Sequence, residues 1–235
     1  MKYWVGTSGF SYKAWKGSFY PEDLANDGML AHYGERLNAV EINNTFYRMP
    51  KRATLADWGS KVPDEFSFVL KASRKITHFK RLKETQDELS YLFDVSSELG
   101  ARLGPMLFQL PPNFKIDVER LRDFVSLFPQ GLRAAFEFRH DSWFADETYT
   151  VLGDAGVALV AADTGEDEPP PVVATAPYGY LRLRGEDYDA DDLNRWARVV
   201  VDQKWADVFV FFKHEDAGAG PALAQRFVAE LEALS

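Results

Sequence analysis

The feature that most constrains the fold of this chain is a regular alternation between short apolar runs and longer amphipathic stretches. Eight runs have strand-like composition: YWVGTSG, AVEINNTF, FSFVLKA, MLFQL, RAAFEFR, VALVAAD, YGYLRLR and DVFVFFK. Amphipathic segments separate most of them, and the first of these places Leu30, Tyr33 and Leu37 at helical spacing. The stretch from Lys83 to Gly100 is predicted to be a helix that ends at a glycine cap. Strands that alternate with helices in this way indicate a parallel sheet.

The number of strands and the length of the chain favour a closed barrel over an open sheet. The chain has 235 residues, and a (β/α)8 barrel typically needs about 250. An open doubly wound sheet is the competing architecture, but the GTSGFSY segment after the first strand does not match GxGxxG. The acidic, proline-rich segment EDEPPPVVATAP is predicted to be a loop. We therefore predict one domain over residues 1–235, a single (β/α)8 TIM-like barrel, regular or irregular.

Most of the predicted strands carry a polar residue close to their C-terminal end. Alternate side chains of a strand share a face, so each of these residues is expected on the inner face of the barrel. They are Ser8, Glu41, Asn43, Lys71, Gln109, Glu137, Arg139, Asp163, Arg182, Arg184 and Lys213. Active sites of this fold lie at the C-terminal mouth, where these side chains would meet in one cavity.

Charge is distributed unevenly along the chain. The formal net charge is -9, yet the segment KASRKITHFKRL, from Lys71 to Leu82, is strongly basic. Since this segment begins at the end of the third predicted strand, we expect Lys71, and Arg74 or His78, to line the mouth. Lys80 and Arg81 are expected to face solvent for the most part and to pair with Glu84 in the first turn of the next helix. A basic mouth on an acidic protein attracts anionic ligands.

Several longer motifs together resemble one known family. They are GTSGFSYKAWKGSFYP, VEINNTFYRMP, KASRKITHFKRL, GPMLFQLPPNF, AFEFRHDSW and YLRLRG, and in this order they resemble the YecE-like family, also called domain of unknown function 72. The resemblance implies a TIM-like barrel but no established reaction, and the sugar-isomerase labels used for the family are fold-level analogies. In many proteins that this family resemblance covers, the last strand looks as though it ends with two asparagines and an aspartate. Here FFKHED stands instead, so ligand contacts at Lys213 are expected to differ.

Three residues are candidates for catalysis. Glu41 and Glu137 are expected on the inner face, where burial and nearby cations would separate their pKa values for acid and base work. The alternative is that both glutamates form ion pairs with Lys71 and Arg182 and only stabilise the barrel. His78 is a candidate proton shuttle, and the alternative is a histidine at the surface or at the start of a helix.

The remaining candidates are predicted to bind the ligand: Ser8, Tyr12, Asn43, Tyr47, Lys71, Arg74, Gln109, Arg139, Arg182 and Lys213. Arginine matches phosphate and carboxylate in shape, so the first hypothesis is a protein that binds and transforms a small anionic metabolite. A phosphorylated sugar undergoing isomerase-type or lyase-type proton transfer is the example we favour. The alternative is a protein that binds or processes nucleic acid through residues 71–82 and exposed aromatic side chains.

The sequence also limits cofactors and location. There are no cysteines, and HxH or HExxH spacing is missing, so we expect no cofactor, and a divalent metal held by histidine and carboxylate is the weaker alternative. The lack of cysteines and of a long apolar run leads us to expect a cytoplasmic protein without a membrane segment.

Overall fold

The computed structural model describes residues 1–165 and 171–234 and contains an eight-stranded parallel sheet. The strands are β1 Lys2–Ser8, β2 Ala39–Ile42, β3 Ser67–Leu70, β4 Met106–Gln109, β5 Ala134–Glu137, β6 Ala158–Asp163, β7 Tyr178–Leu183 and β8 Asp207–Phe212. The α-helices are α1 Met29–Gly34, α2 Arg52–Ser60, α3 Gln86–Ser96, α4 Val118–Val125, α5 Asp146–Asp154, α6 Ala190–Val201 and α7 Ala219–Leu234.

The sheet curls into a nearly closed barrel. Its strand order is β3-β2-β1-β8-β7-β6-β5-β4, so β3 and β4 are the two edges. These edges meet through isolated bridges, Phe68 with Leu103 and Lys71 with Leu107. The Ala72 amide also donates to the Leu107 carbonyl at 2.8 Å. The prediction of a TIM-like barrel is confirmed. The barrel is irregular, because only isolated bridges and few hydrogen bonds join β3 to β4.

Two segments between strands differ from the simple strand–helix alternation. Between β6 and β7, the described residues 164–165 and 171–177 contain no α-helix, and the predicted loop 166–177 lies partly outside the described residues. The helix predicted from Lys83 to Gly100 is shorter, because Leu82 and Glu84 adopt positive φ angles of 68° and 53°. That left-handed backbone cannot belong to a right-handed helix. The predicted loop before it contains one π-helical turn, Lys75–Phe79.

Side chains of the strands divide into two cores, as alternation requires. Inward residues such as Val69, Leu107, Tyr180 and Phe211 fill the lumen, whereas outward residues pack under the helices. The approach of β1 to β2 requires glycine at position 6, since a Cβ there would lie 1.8 Å from the Ala39 carbonyl oxygen. Among the described residues, none of the helices is both long and apolar enough to span a bilayer.

Candidate functional site

The strand register brings the polar strand ends to one level of the barrel. Ser8 pairs with Glu41 between β1 and β2, and Gln109 pairs with Glu137 between β4 and β5. Arg182 on β7 pairs with Ala162 on β6 and with Phe211 on β8. Inward side chains at this level therefore reach one another across the lumen.

Glu41 is fully buried and accepts hydrogen bonds from four residues. Arg182 donates to both of its oxygens, from Nη2 at 2.7 Å and from Nε at 2.9 Å. The Tyr180 hydroxyl donates at 2.6 Å, the Ser8 hydroxyl at 2.8 Å and the Asn43 amide at 3.1 Å. Burial alone would raise the pKa of Glu41, but Arg182 and these donors lower it below its usual value. The carboxylate therefore stays ionised and has its acceptor positions filled.

Glu137 is the second fully buried carboxylate and shares Arg182 with Glu41. Arg182 Nη1 donates to one of its oxygens, while Arg139 Nε and Gln109 Nε2 donate to the other, the last at 2.7 Å. Burial would raise the pKa of Glu137, but the charges of Arg182 and Arg139 outweigh it and lower the pKa to about 2. The geometry thus favours the ion-pair alternative for both glutamates, with Arg182 as their common partner.

A cavity of about 520 Å³ opens above this network. Ten of the residues singled out in the sequence line it: Tyr12, Asn43, Tyr47, Lys71, His78, Gln109, Arg139, Arg182, Arg184 and Lys213. Five others do not: Ser8, Glu41 and Glu137 are buried beneath it, and Arg74 lies outside its wall. The prediction for Asp163 is wrong, because Val160 and Ala162 face the lumen and alternation turns Asp163 outward, where it accepts from the Tyr188 hydroxyl at 2.9 Å and the Trp196 indole at 3.1 Å. Ser8 contributes by holding Glu41, since its side chain is 3% exposed and donates into the barrel.

The sequence-based site omitted five residues of the cavity wall: Asn44, Phe46, Leu110, Pro112 and Glu215. Phe46 and Asn44 belong to a short 3-10 turn after β2, Asn44–Phe46, which strand alternation does not predict. Glu215 is positioned by Trp15, whose fully buried indole donates to the Glu215 carbonyl at 3.0 Å.

The basic segment after β3 divides into a cavity part and a surface part. Lys71 and His78 line the cavity. Lys80 was expected to pair with Glu84, but it donates to the Glu84 backbone carbonyl and forms an ion pair with Glu88 at 2.8 Å. Arg81, which was expected to face solvent, is only partly exposed and donates to Asn113.

His78 sits at the cavity in a cationic environment. Its Nδ1 shares a hydrogen bond of 2.9 Å with the Thr77 hydroxyl, and its ring packs edge-on against Phe46 at 4.9 Å between centroids. Burial and the charges of Lys71, Arg139 and Arg81 lower the pKa of His78 below its usual value. A neutral imidazole at pH 7 can accept a proton, as a shuttle requires.

The rim of the cavity carries exposed aromatic rings. Tyr47 is 66% exposed and Phe79 is 69% exposed, and the Arg74 guanidinium lies 5.4 Å from the centroid of each ring. Arg74 is therefore a rim residue that stacks with aromatic rings. Tyr12 lies deeper, and its hydroxyl donates to the Ser8 carbonyl at 2.7 Å. Burial and the nearby carboxylates of Glu215 and Glu41 raise the pKa of Tyr12 to about 12.

Charge within the site is unbalanced toward the positive. Five cationic side chains line the cavity: Lys71, Arg139, Arg182, Arg184 and Lys213. Three carboxylates accompany them, Glu215 in the wall and the two buried glutamates below. In the part of the chain that the structure describes, no group of three or more histidine, aspartate or glutamate side chains is arranged to hold a metal ion.

These features define a (β/α)8-type barrel protein with a polar, cation-lined cavity at the mouth. The chain belongs to the family described as protein of unknown function DUF72, whose family model matches residues 4–235. The resemblance noted in the sequence is thereby confirmed.

Individual relatives agree with this assignment. The UPF0759 protein YecE of Escherichia coli K12 is 30% identical over 141 residues, which are 57% of this chain and 52% of YecE, so the match spans about half the length of that relative. The UPF0759 protein YunF of Bacillus subtilis 168 is 24% identical over 86% of each chain. The crystal structure of a DUF72 family protein from Thermotoga maritima MSB8 superposes with a TM-score of 0.83 at 28% identity, covering 99% of this chain and 100% of that one.

Proposed function

We propose that the protein binds a small anionic metabolite, such as a phosphorylated sugar, in the cavity at the barrel mouth and transforms it by proton transfer of the isomerase or lyase kind. One observation supports the proposal, namely that positive charge exceeds negative charge at the cavity. Five cationic side chains line it, whereas only three carboxylates accompany them, and two of these are buried below it. A cation excess at a partly desolvated site favours an anionic ligand.

The roles within this proposal follow from the contacts. Arg182 is held by Glu41 and Glu137, so it forms a fixed charged floor. Arg139, Arg184 and Lys213 can contact the anionic group of the ligand, since all three line the cavity. Proton transfer falls to His78, because the two glutamates are ionised and their oxygens already accept hydrogen bonds.

A ligand screen by thermal denaturation tests the proposal. Phosphorylated sugars, other phosphate esters and carboxylates are compared with their uncharged parents, each with and without Mg²⁺ or Mn²⁺. A true ligand at about 100 times its Kd should stabilise the protein by about 2.7 kcal/mol. For a chain of this size that corresponds to a rise in Tm of about 5 to 10 °C. If no anion raises Tm more than its uncharged parent, the proposal fails.

Calorimetry on two lysine variants then tests the location of the site. Lys71→Ala removes a cation from the cavity wall, and a lost charge-assisted contact weakens binding by about 1.5 to 3 kcal/mol. Lys80→Ala is the matched control in the same segment, since Lys80 pairs with Glu88 outside the cavity, and it should change binding by less than about 1 kcal/mol. Equal losses would contradict a localised site.

Nucleic-acid binding is the second candidate, supported by the exposed rings of Tyr47 and Phe79 beside Arg74. Against it, Lys75 and Lys80 both pair with Glu88, at 2.7 and 2.8 Å, so one carboxylate cancels half of the charge of these two lysines. Fluorescence anisotropy with labelled single-stranded DNA and RNA at several salt concentrations distinguishes the two candidates. Strong binding that weakens steeply with salt, together with a negative metabolite screen, would favour nucleic acid.

A further inference from the structure

Lys71 is held rigidly at the cavity wall. It directly follows β3, its backbone amide donates to the Ile42 carbonyl at 3.1 Å, and its carbonyl accepts from the Thr45 hydroxyl at 2.7 Å. The side chain is nearly buried, and Nζ lies 4.4 Å from the centroid of the Phe46 ring. Since the residue lines the cavity, its amino group has a defined position next to any bound ligand.

The hydrogen-bond partner of this amino group is a neutral amide. Nζ donates to Gln109 Oε1 at 2.5 Å, and Gln109 Nε2 donates to Glu137 at 2.7 Å. The amide orientation is therefore fixed, because a flipped amide would direct its nitrogen at Lys71 and its oxygen at a carboxylate. Among the residues that the structure describes, Lys71 makes no ion pair, since Glu41 and Glu137 accept from the guanidinium groups of Arg182 and Arg139.

This environment increases the fraction of the neutral amine. Burial and the nearby charge of Arg182 lower the pKa of Lys71 to about 8, from a usual value of 10.5. Lysines of the same segment lie differently, since Lys75 and Lys80 both pair with the Glu88 carboxylate. Desolvation beside another cation is a known way to make a lysine nucleophilic.

We propose that Lys71 is an amine nucleophile that forms an imine with a carbonyl substrate carrying a phosphate or carboxylate group. The ammonium group first gives one proton to a base, and the free amine attacks the carbonyl carbon. A C–N bond forms as the C=O π bond breaks, and a proton passes from the nitrogen to the oxygen to give a carbinolamine, whose hydroxyl then takes back the proton held by the base. The C–O bond then breaks and the oxygen leaves as water. Overall, the ammonium group and the carbonyl compound yield one iminium and one water, so charge and atoms balance without an oxidant or reductant.

The cavity supplies the other groups that such a reaction needs. His78 contacts the same Phe46 ring as Lys71, and with Nδ1 engaged by Thr77 its Nε2 is the nitrogen left to exchange protons. Arg184 lines the cavity, and its Nε and Nη1 have no hydrogen-bond partner within the described residues although they are buried. These donors suit the anionic group of the substrate, and for that part alone the inference rests on the proposed function.

Reductive trapping tests the imine directly. The wild-type protein is treated at pH 8 with pyridoxal 5′-phosphate, which carries both an aldehyde and a phosphate, and then with sodium borohydride. Labelled lysines are identified and quantified by peptide mass spectrometry. Parallel samples contain pyridoxal, which lacks the phosphate, or pyridoxal 5′-phosphate with excess inorganic phosphate. Exposed Lys83 is the internal reference, so no variant needs to fold.

We expect Lys71 to be labelled at least about tenfold faster than Lys83, because lowering an amine pKa by two units or more raises its free fraction at pH 8 about a hundredfold. Pyridoxal 5′-phosphate should label Lys71 faster than pyridoxal does, and inorganic phosphate should slow the labelling of Lys71 by pyridoxal 5′-phosphate.

The two proposals can fail separately in this experiment. Preferential labelling of Lys71 by both aldehydes, without protection by phosphate, would support the imine and contradict anion binding. Protein that binds anions in the thermal screen but labels Lys71 no faster than Lys83 would overturn the imine proposal and leave anion binding in place. A labelling rate that does not rise with pH between 7 and 9 would also overturn it.

Discussion

Replacing Arg182 by methionine is the change that should reveal most about the site. The Arg182 guanidinium donates to Glu41 at 2.7 and 2.9 Å and also to Glu137. Methionine keeps much of the side-chain length but carries no charge or donor. The variant therefore leaves two fully buried carboxylates without the cation that they share.

The expected loss of stability is large. Removing one partner of a buried ion pair typically costs about 3–5 kcal/mol, because the other charge remains buried and unpaired. The pKa of Glu137 leads to a similar free energy, since its fall from 4.5 to about 2 corresponds to about 3 kcal/mol. Free energies of unfolding are usually about 5–15 kcal/mol, so the Arg182→Met variant should lose a substantial fraction of its stability.

The effect of pH on the free energy of unfolding should also differ in sign between the wild type and Arg182→Met. In the wild type the lowered pKa of Glu137 contributes stability that is fully present above pH 4.5 and is lost as the pH falls toward 2. In Arg182→Met the hydrogen bonds to Glu41 come only from neutral donors, and the charges of Lys71 and Arg184 act on it without a direct contact. Burial should then raise the pKa of Glu41 above its usual value. The variant then loses stability as the pH rises, and its deficit should be smaller at pH 5 than at pH 7.5.

Urea denaturation followed by circular dichroism at both pH values measures these effects. Arg184→Met is the matched control, because Arg184 directly follows β7 and its nearest carboxylate contact, to Glu137, is 3.9 Å long. It should cost less than about 1 kcal/mol. If Arg182→Met costs no more than this control, or if its deficit grows on acidification, the buried network does not stabilise the fold as described.

Three smaller effects should also be measurable. Tyr180→Phe removes the 2.6 Å hydrogen bond to Glu41 and should lower the free energy of unfolding by about 1.5–3 kcal/mol; an unchanged urea midpoint would show that the bond is not needed. Asp189→Ala removes the capping box with Asp192 at the start of α6, and a loss of about 1 kcal/mol is expected in the same assay, whereas a stabilised variant would contradict the cap. Calorimetric affinity for an anionic ligand should weaken between pH 7 and 9, as Lys71, with a pKa of about 8, loses its charge; constant affinity over that range would exclude Lys71 from the contact.

Local boundaries were predictable only in part. The α3 helix starts three residues later than predicted, at Gln86, because the preceding turn uses positive φ at Arg81, Leu82 and Glu84. No glycine marks that turn, so residue type alone does not indicate it. The π-helical turn Lys75–Phe79 was likewise missed, because the basic and polar residues of this stretch led to the prediction of a loop. Helices between strands were predictable because their amphipathic spacing is long and regular.

The alternation of side chains along a strand is a local property, and for that reason the sequence alone determined the barrel and the inner face of most of its strands. It placed Glu41, Lys71, Gln109, Glu137 and Arg182 together, as the structure does at one level of the sheet. Pairing among them is not local. Arg182 lies 141 residues from Glu41 and 45 from Glu137, and only closure of the barrel decides that both carboxylates accept from Arg182 while Lys71 faces an amide. Buried charges pair with whichever partner the opposite strand brings within hydrogen-bond distance, and that distance is set by the tertiary structure.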